Sequence, residues 1–240
     1  MDLKNSRAIV TGGVSGLGAA TVAWFRQQGA MVVVLDRAAG DDPWQVQADV
    51  TQADSTAAAI ARAMDLMGGI DICVNCAGVV IGEKTLGRNG PHDLDAFRRV
   101  VEVNLIGSFN VLRLAATEMA KNGRAENGVI VNTASIAAFD GQKGQAAYAA
   151  SKAGIAGMTL PLARDLAGVG IRVCAIAPGI FATPMLRGLP PEVQDGLAAE
   201  VTFPPRLGDP AEFARMAAHI VENAYLNGEV IRLDGALRMR

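Results

Sequence analysis

Histidine occurs twice in this 240-residue chain and cysteine three times; aromatic residues make up 5% of it and charged residues 19%. Each scarcity excludes a class of chemistry. His92 and His219 lie far apart with no partner at ligand spacing, so neither a zinc site nor a histidine-based triad is expected, and no metal is assigned. The three cysteines all fall inside apolar stretches, which suits a reducing compartment and not a disulfide framework. With 22 Lys+Arg against 24 Asp+Glu, the net charge of −2 gives no drive toward nucleic acid or an anionic membrane. No apolar run approaches the roughly 18–20 residues needed to span a bilayer. Met1-Asp2-Leu3-Lys4 runs into a strand without the apolar segment of a secretory signal or an Arg- and Ser-rich leader. The expectation is a cytoplasmic protein with no membrane and no nucleic-acid partner.

What the chain does have is Ala, Val and 27 glycines, and half of its residues are hydrophobic. Strand-length apolar runs (Ala8–Val10, Met31–Leu35, Ile70–Asn75, Gly128–Thr133, Ile171–Ile176, Val230–Leu233) alternate with helix-period stretches (Ala19–Gln28, about Asp93–Lys121, Tyr148–Leu166). The strands are continuous Val/Ile runs, as strands read when both faces are covered. This alternation predicts an α/β fold: one domain over residues 1–240, a doubly wound parallel sheet with helices on both faces. Gly29 stands at a helix C′ position, and Asp209-Pro210-Ala211-Glu212 reads as an N-cap, Pro at N1 and a reciprocal Glu. The Pro-rich stretch from Phe181 to Pro210, with one short helical candidate at Glu192–Glu200, is expected to be a substrate lid.

The first strand ends in Thr11-Gly12-Gly13-Val14-Ser15-Gly16-Leu17-Gly18 and a helix follows. Glycine is wanted where the turn is tight, where backbone approaches a pyrophosphate and where helix packs on strand, and the helix N-terminus then offers free N–H groups to the phosphates. The spacing is TGxxxGxG, not GxGxxG; its flanking strand and helix make it a dinucleotide turn. Asp36 closes the second strand eighteen residues after Gly18. A carboxylate there accepts both ribose hydroxyls and repels a 2′-phosphate, which favours NAD over NADP despite the neighbouring Arg37.

Tyr148-Ala149-Ala150-Ser151-Lys152 puts a phenol and an ammonium on one helix face. A free tyrosine, titrating near ~10, is a poor base at neutral pH; an adjacent Lys⁺ and an oxidised nicotinamide are expected to lower that value. Ser135, beyond the strand Val129–Thr133, can hydrogen-bond a substrate oxygen. Cys73-Val74-Asn75-Cys76 also fits CxxC, but three residues apart on a strand the side chains face opposite ways and no helix N-terminus is at hand to acidify them.

Together, Thr11-Gly12…Gly16…Gly18, Asn75-Cys76-Ala77-Gly78, Asn104, Ser135, Tyr148/Lys152 and Pro178-Gly179 resemble the short-chain dehydrogenase/reductase family over essentially the whole chain. The resemblance implies a Rossmann-type fold and a catalytic set of Ser135, Tyr148, Lys152 and Asn104. In it Tyr148 is the acid/base and Ser135 holds the substrate oxygen. Lys152 binds the ribose and lowers the tyrosine pKa, and Asn104 holds a water linking Lys152 to solvent. The alternative for Asn104 is a cap on a kink in a long helix. The resemblance further implies cofactor contacts from Gly12, Ser15, Gly16, Leu17, Gly18, Asp36, Asp49, Val50, Cys76, Ala77, Gly78, Tyr148, Lys152 and Pro178. Phe181 and Thr183 are expected at the nicotinamide, and Ser135, Gln145 and Tyr148 at the substrate.

Within the family, stretches such as Gly141–Tyr148, Phe203–Glu212 and Asn227–Ala236 are similar to a branch that oxidises 3-hydroxyacyl-CoA thioesters with NAD. A hydroxysteroid or other secondary alcohol is the alternative substrate, and a dinucleotide-sensing or scaffold protein the alternative without catalysis. Lys84 and Arg88, in an extra loop from Gly82 to Leu94, would meet the CoA phosphates or simply face solvent. The resemblance also implies a homotetramer. One departure stands apart: thirteen positions separate Asp36 from Asp49, too few for a helical crossover plus a third strand, so a short loop through Pro43-Trp44 is expected there.

Overall fold

The structure is a computed structural model and describes residues 1–240 apart from Asn89, Leu189 and Arg240, with only the backbone of Met185. The Val/Ile runs form strands β1 (Arg7–Thr11), β2 (Met31–Asp36), β3 (Gln45–Gln47), β4 (Ile72–Asn75), β7 (Gly128–Thr133), β8 (Ile171–Pro178) and β9 (Val230–Leu233). They make one sheet in the order β3-β2-β1-β4-β7-β8-β9, every neighbouring pair parallel. The helices are α1 (Gly16–Gln27), α2 (Ala53–Met67), α3 (Leu94–Val101), α4 (Ser108–Met119), α5 (Ala146–Ala167), α6 (Pro184–Arg187), α7 (Pro191–Ala199) and α8 (Pro210–Glu222). The residues 82–94 hold a small hairpin of β5 (Leu86–Gly87) and β6 (Gly90–Pro91).

Side-chain alternation along the strands divides the core in two. Ala8, Val10, Val32 and Val34 face Phe25 of α1 and Phe213 and Ile220 of α8. Ile9, Val33, Leu35 and Ile130 face Ile60 of α2, Leu112 of α4 and Ala163 of α5. The apolar positions of one strand therefore serve both layers, which is why those strands carry no polar alternation. Each fully buried Phe, Ile or Leu contributes about 1.5–3 kcal/mol. Strand order reverses between β1 and β4, and a crevice opens at their carboxyl ends, where this topology places ligands.

Several local expectations can now be compared with the coordinates. Gly29 has φ +86 after the C-cap Gln28, and Asp209 and Glu212 form a reciprocal capping box. Helix α2 escapes the sequence reading because its buried face is Thr56, Ala59, Ile60, Ala63 and Met67, mostly residues too small to mark a period. Between β2 and β3 there is no helix, as the spacing requires, yet a three-residue third strand survives. Asp42 shapes that connection by accepting from Trp44 N at 2.9 Å and from Arg26 at 2.8 Å. The helical stretch Leu94–Asn122 needs a correction in the other direction. It is long and apolar enough to cross a membrane, with mean hydropathy 1.2 in its best window, although half of that window is buried in the protein. Glu102 and Arg113 interrupt its apolar run, and α4 packs Val111, Leu112 and Ala115 on the sheet as a core helix does.

Candidate active site

The crevice is a cleft of about 440 Å³. Its floor is the glycine turn, contributing Gly12 and Ser15 to Gly18; its far end is Asp36, Asp49 and Val50; its near side is Cys76 to Gly78, with Thr183 closing over it. The turn has steric reasons for glycine. Gly12 has φ +64, and a Cβ there would lie 2.8 Å from Ala77 N. A Cβ on Gly18 would collide with the carbonyl oxygen of Gly12. Thr11 Oγ1 draws the two strand ends together by accepting from Cys76 N and Ala77 N, each at 3.1 Å. A backbone cradle that Cβ atoms would fill, at the N-terminus of α1, fits a pyrophosphate.

Asp36 reaches back onto the turn, accepting from Val14 N at 3.2 Å and Ala38 N at 3.0 Å. Asp49 accepts from Thr51 N at 3.0 Å and Thr51 Oγ1 at 2.8 Å. Those bonds, with Arg37 and Arg99 adding attraction, hold its carboxyl below the usual range. The sequence reading missed Leu35, Ala48, Val79, Val103 and Pro184 in the lining, all apolar or small residues that carry no motif.

Behind Gly78 lies the polar set. Asn104 sits within a π-helical turn, Glu102–Gly107, between α3 and α4. Its Oδ1 accepts from Val79 N at 2.8 Å, and its Nδ2 donates to Val79 O at 2.9 Å and Ser151 Oγ at 3.0 Å. A π-turn in a long helix commonly marks a functional position. The break that the sequence suggested is this turn, and the side chain braces the β4 exit against α5. Lys152 is buried and donates to Thr133 O at 2.7 Å. Its Nζ is 5.7 Å from the centroid of the Tyr148 ring and 3.8 Å from where a Gly78 Cβ would stand. Ser135 Oγ accepts from Ala137 N at 3.1 Å as the cap of a short 3-10 turn, so its O–H is left to donate.

The electrostatics correct one expectation. Burial pushes the Tyr148 phenol above its ordinary value, with the nearby Ser135 hydroxyl opposing. Burial also lowers Lys152 to about 8. Desolvation leads both shifts, and the ammonium does not figure among the causes acting on the phenol as the i, i+4 spacing suggested. Cys76 is pushed up to about 11 by burial, and Cys73 upward too, which leaves no redox pair at CxxC.

Four expected cofactor residues do not line the cleft: Tyr148 and Lys152, which lie behind Gly78, and Phe181 and Pro178. Phe181 is buried with its ring against Gly208, to which it is bridged, and Pro178 is the buried end of β8. Gln145 folds back on its own loop, its Oε1 accepting from Gln142 N at 3.2 Å. No cluster of His, Cys, Asp and Glu able to hold a metal occurs among the described residues.

Comparison with known proteins follows the same lines. A bovine protein named 3-hydroxyacyl-CoA dehydrogenase type-2 is 52% identical over 99% of this chain and 97% of its own length. Its Drosophila melanogaster namesake is 50% identical over 99% of each chain. A crystal structure of 3-hydroxyacyl-CoA dehydrogenase type-2 from Mycobacterium avium superposes with a TM-score of 0.90 at 41% identity, covering 98% and 97% of the two chains. The family profile described as short chain dehydrogenase matches residues 6–194, from β1 through the glycine turn, Asn104, Ser135, Tyr148 and Lys152. This chain therefore belongs to the short-chain dehydrogenases, enzymes that use a nicotinamide dinucleotide.

Proposed function

We propose that the protein oxidises a 3-hydroxyacyl-CoA to its 3-oxo form with NAD. The observation that carries this reading is the set of buried Ser135, buried Lys152 and half-buried Tyr148 against the Gly78 side of a dinucleotide cleft, in a chain half identical to proteins named for that substrate. The bound cofactor supplies the acceptor for hydride. The chain's own residues do the rest. Ser135 O–H donates to the substrate oxygen, while one lone pair of Oγ accepts from Ala137 N. Tyr148 takes the hydroxyl proton once its phenolate is formed. Lys152 spends one N–H on Thr133 O and has two left for the ribose and the tyrosine oxygen. Relay through a water at Asn104 belongs to the same proposal, with Oδ1 the atom that retains a lone pair.

NAD, as against NADP, rests on Asp36, whose carboxylate at the end of β2 would repel a 2′-phosphate. The Phe181–Pro210 segment, with α6 and α7, is proposed as the substrate lid, and Lys84 and Arg88 as aids to the CoA phosphates. Exposed Ile106 and Phe109 on the long helical stretch and Leu160 on α5 support association into a tetramer. Steady-state assays with a short 3-hydroxyacyl-CoA, a hydroxysteroid and a simple secondary alcohol, each with NAD and NADP, test the reading. Turnover of the thioester with NAD is expected to exceed the others; preference for either of the other alcohols would overturn the substrate, and preference for NADP the cofactor.

A further inference from the structure

The chain between Ser135 and Tyr148 carries the groups that would meet the substrate oxygen, yet apart from the 3-10 turn Ile136–Ala138 and the start of α5 it is loop. Its charged anchor is Asp140, whose Oδ2 receives Arg232 Nη2 at 2.6 Å across 92 positions of sequence. Arg232 stands on the edge strand β9, opposite Ala177 of β8. The same guanidinium donates from Nε to Asp234 Oδ2 at 2.7 Å and from Nη2 to Leu237 O at 3.0 Å, and it lies 5.4 Å from the Phe139 ring centroid. Asp234 in turn backs Gly179, where a Cβ would lie 2.9 Å from its Cα, and it receives Arg238 at 3.1 Å. Beneath the ion pairs, Ile136, Val201 and Leu237 form a small buried cluster with Ile180 and Met239 packed on it. The two systems join the Ser135 turn, both flanks of the lid and the C-terminal tail.

We infer that Arg232 is a positioning residue for the substrate side of the site: its pairing with Asp140 fixes the loop between Ser135 and Tyr148 and ties that loop to β9 and the C-terminal tail. Arg232 and Asp140 are 22% and 18% exposed, desolvated enough for the pair to hold one geometry. None of the described residues of this network lines the dinucleotide cleft, so its effect is expected on the substrate side.

The inference rests on the reaction proposed above, and its test separates the two. Full-length Asp140→Asn, Arg232→Gln and Arg232→Lys would be assayed with a 3-oxoacyl-CoA and NADH, alongside NADH affinity by fluorescence titration and thermal melting. Expected for Asp140→Asn and Arg232→Gln is a loss of about tenfold to a hundredfold in kcat/KM for the thioester, with NADH affinity unchanged and partial recovery in Arg232→Lys. A folded Asp140→Asn enzyme with wild-type kcat/KM, or variants that lose NADH affinity in parallel, would overturn the positioning role. Should Arg232→Gln fail to fold, Asp140→Asn decides, since it alters only the loop end of the pair. A wild type inactive on thioesters refutes the proposed substrate instead, and the alcohol it does turn over then serves for the same comparison.

Discussion

Asn104 holds Val79 by both halves of one amide, Oδ1 accepting from its N–H at 2.8 Å and Nδ2 donating to its carbonyl at 2.9 Å. A third bond, to Ser151, ties this grip to the helix that carries Tyr148 and Lys152. Replacing a fully buried group of this kind leaves its partners unsatisfied. Asn104→Ala is expected to destabilise the fold by roughly 2–4 kcal/mol and to lower kcat, as thermal melts and steady-state assays would register. Ser151→Ala, which spares both bonds to Val79, is expected to cost about 1 kcal/mol.

Tyr148→Phe removes the proton acceptor and leaves the ring. Turnover should fall by about a hundredfold to ten-thousandfold, while NADH titration by fluorescence stays as in the wild type. Because burial raises the phenol, alcohol oxidation by the wild type is expected to climb through the alkaline range as phenolate forms. A pH–rate profile flat above neutrality would contradict that assignment.

Lys152 pays in stability for its place. Its ammonium, lowered from 10.5 to about 8 by burial, implies a burden of about 3 kcal/mol below pH 8. Between about pH 8 and 10.5 the unfolded chain holds a proton that the folded chain has lost, so wild-type stability rises with pH in that window. Lys152→Met is expected to be inactive, to melt no lower than wild type at pH 7, and to lack the alkaline gain. Melting curves at a series of pH values check all but the activity, which an assay supplies.

Gly12→Ala forces a side chain into a left-handed conformation, costing about 1–2 kcal/mol, and aims it at Ala77 N, 2.8 Å away. Gly68→Ala is its control: φ is +71 there, but nothing lies within 4 Å. Gly12→Ala should lose more stability than Gly68→Ala, which carries the backbone strain alone, and only Gly12→Ala should weaken NADH binding, by more than about tenfold. Isothermal titration would separate them.

The sequence was legible where local chemistry repeats a fixed pattern. The glycine turn, Asp36 and the Tyr148/Lys152 pair could be found because turn, strand end and helix face each demand residue types at set distances. What stayed hidden depends on distant chain. The upward shift of Tyr148 comes from burial, which residue spacing does not show. The Phe181 ring follows a bridge to Gly208, and Asp140 meets Arg232 only because β9 closes the sheet. Helix α2 was hidden for a humbler reason: alanine buries well and announces nothing.

The connection from β2 to β3 runs from Arg37 to Trp44, eight residues with no helix. Closing a loop grows harder only with the logarithm of its length, so adding about ten residues there would cost under about 1 kcal/mol. Chain length at this edge of the sheet is nearly free to vary. Tyr148, Ser135 and Lys152 hang from β7 and α5, on the other side of β1 and β4, so a change in that length does not pass through them.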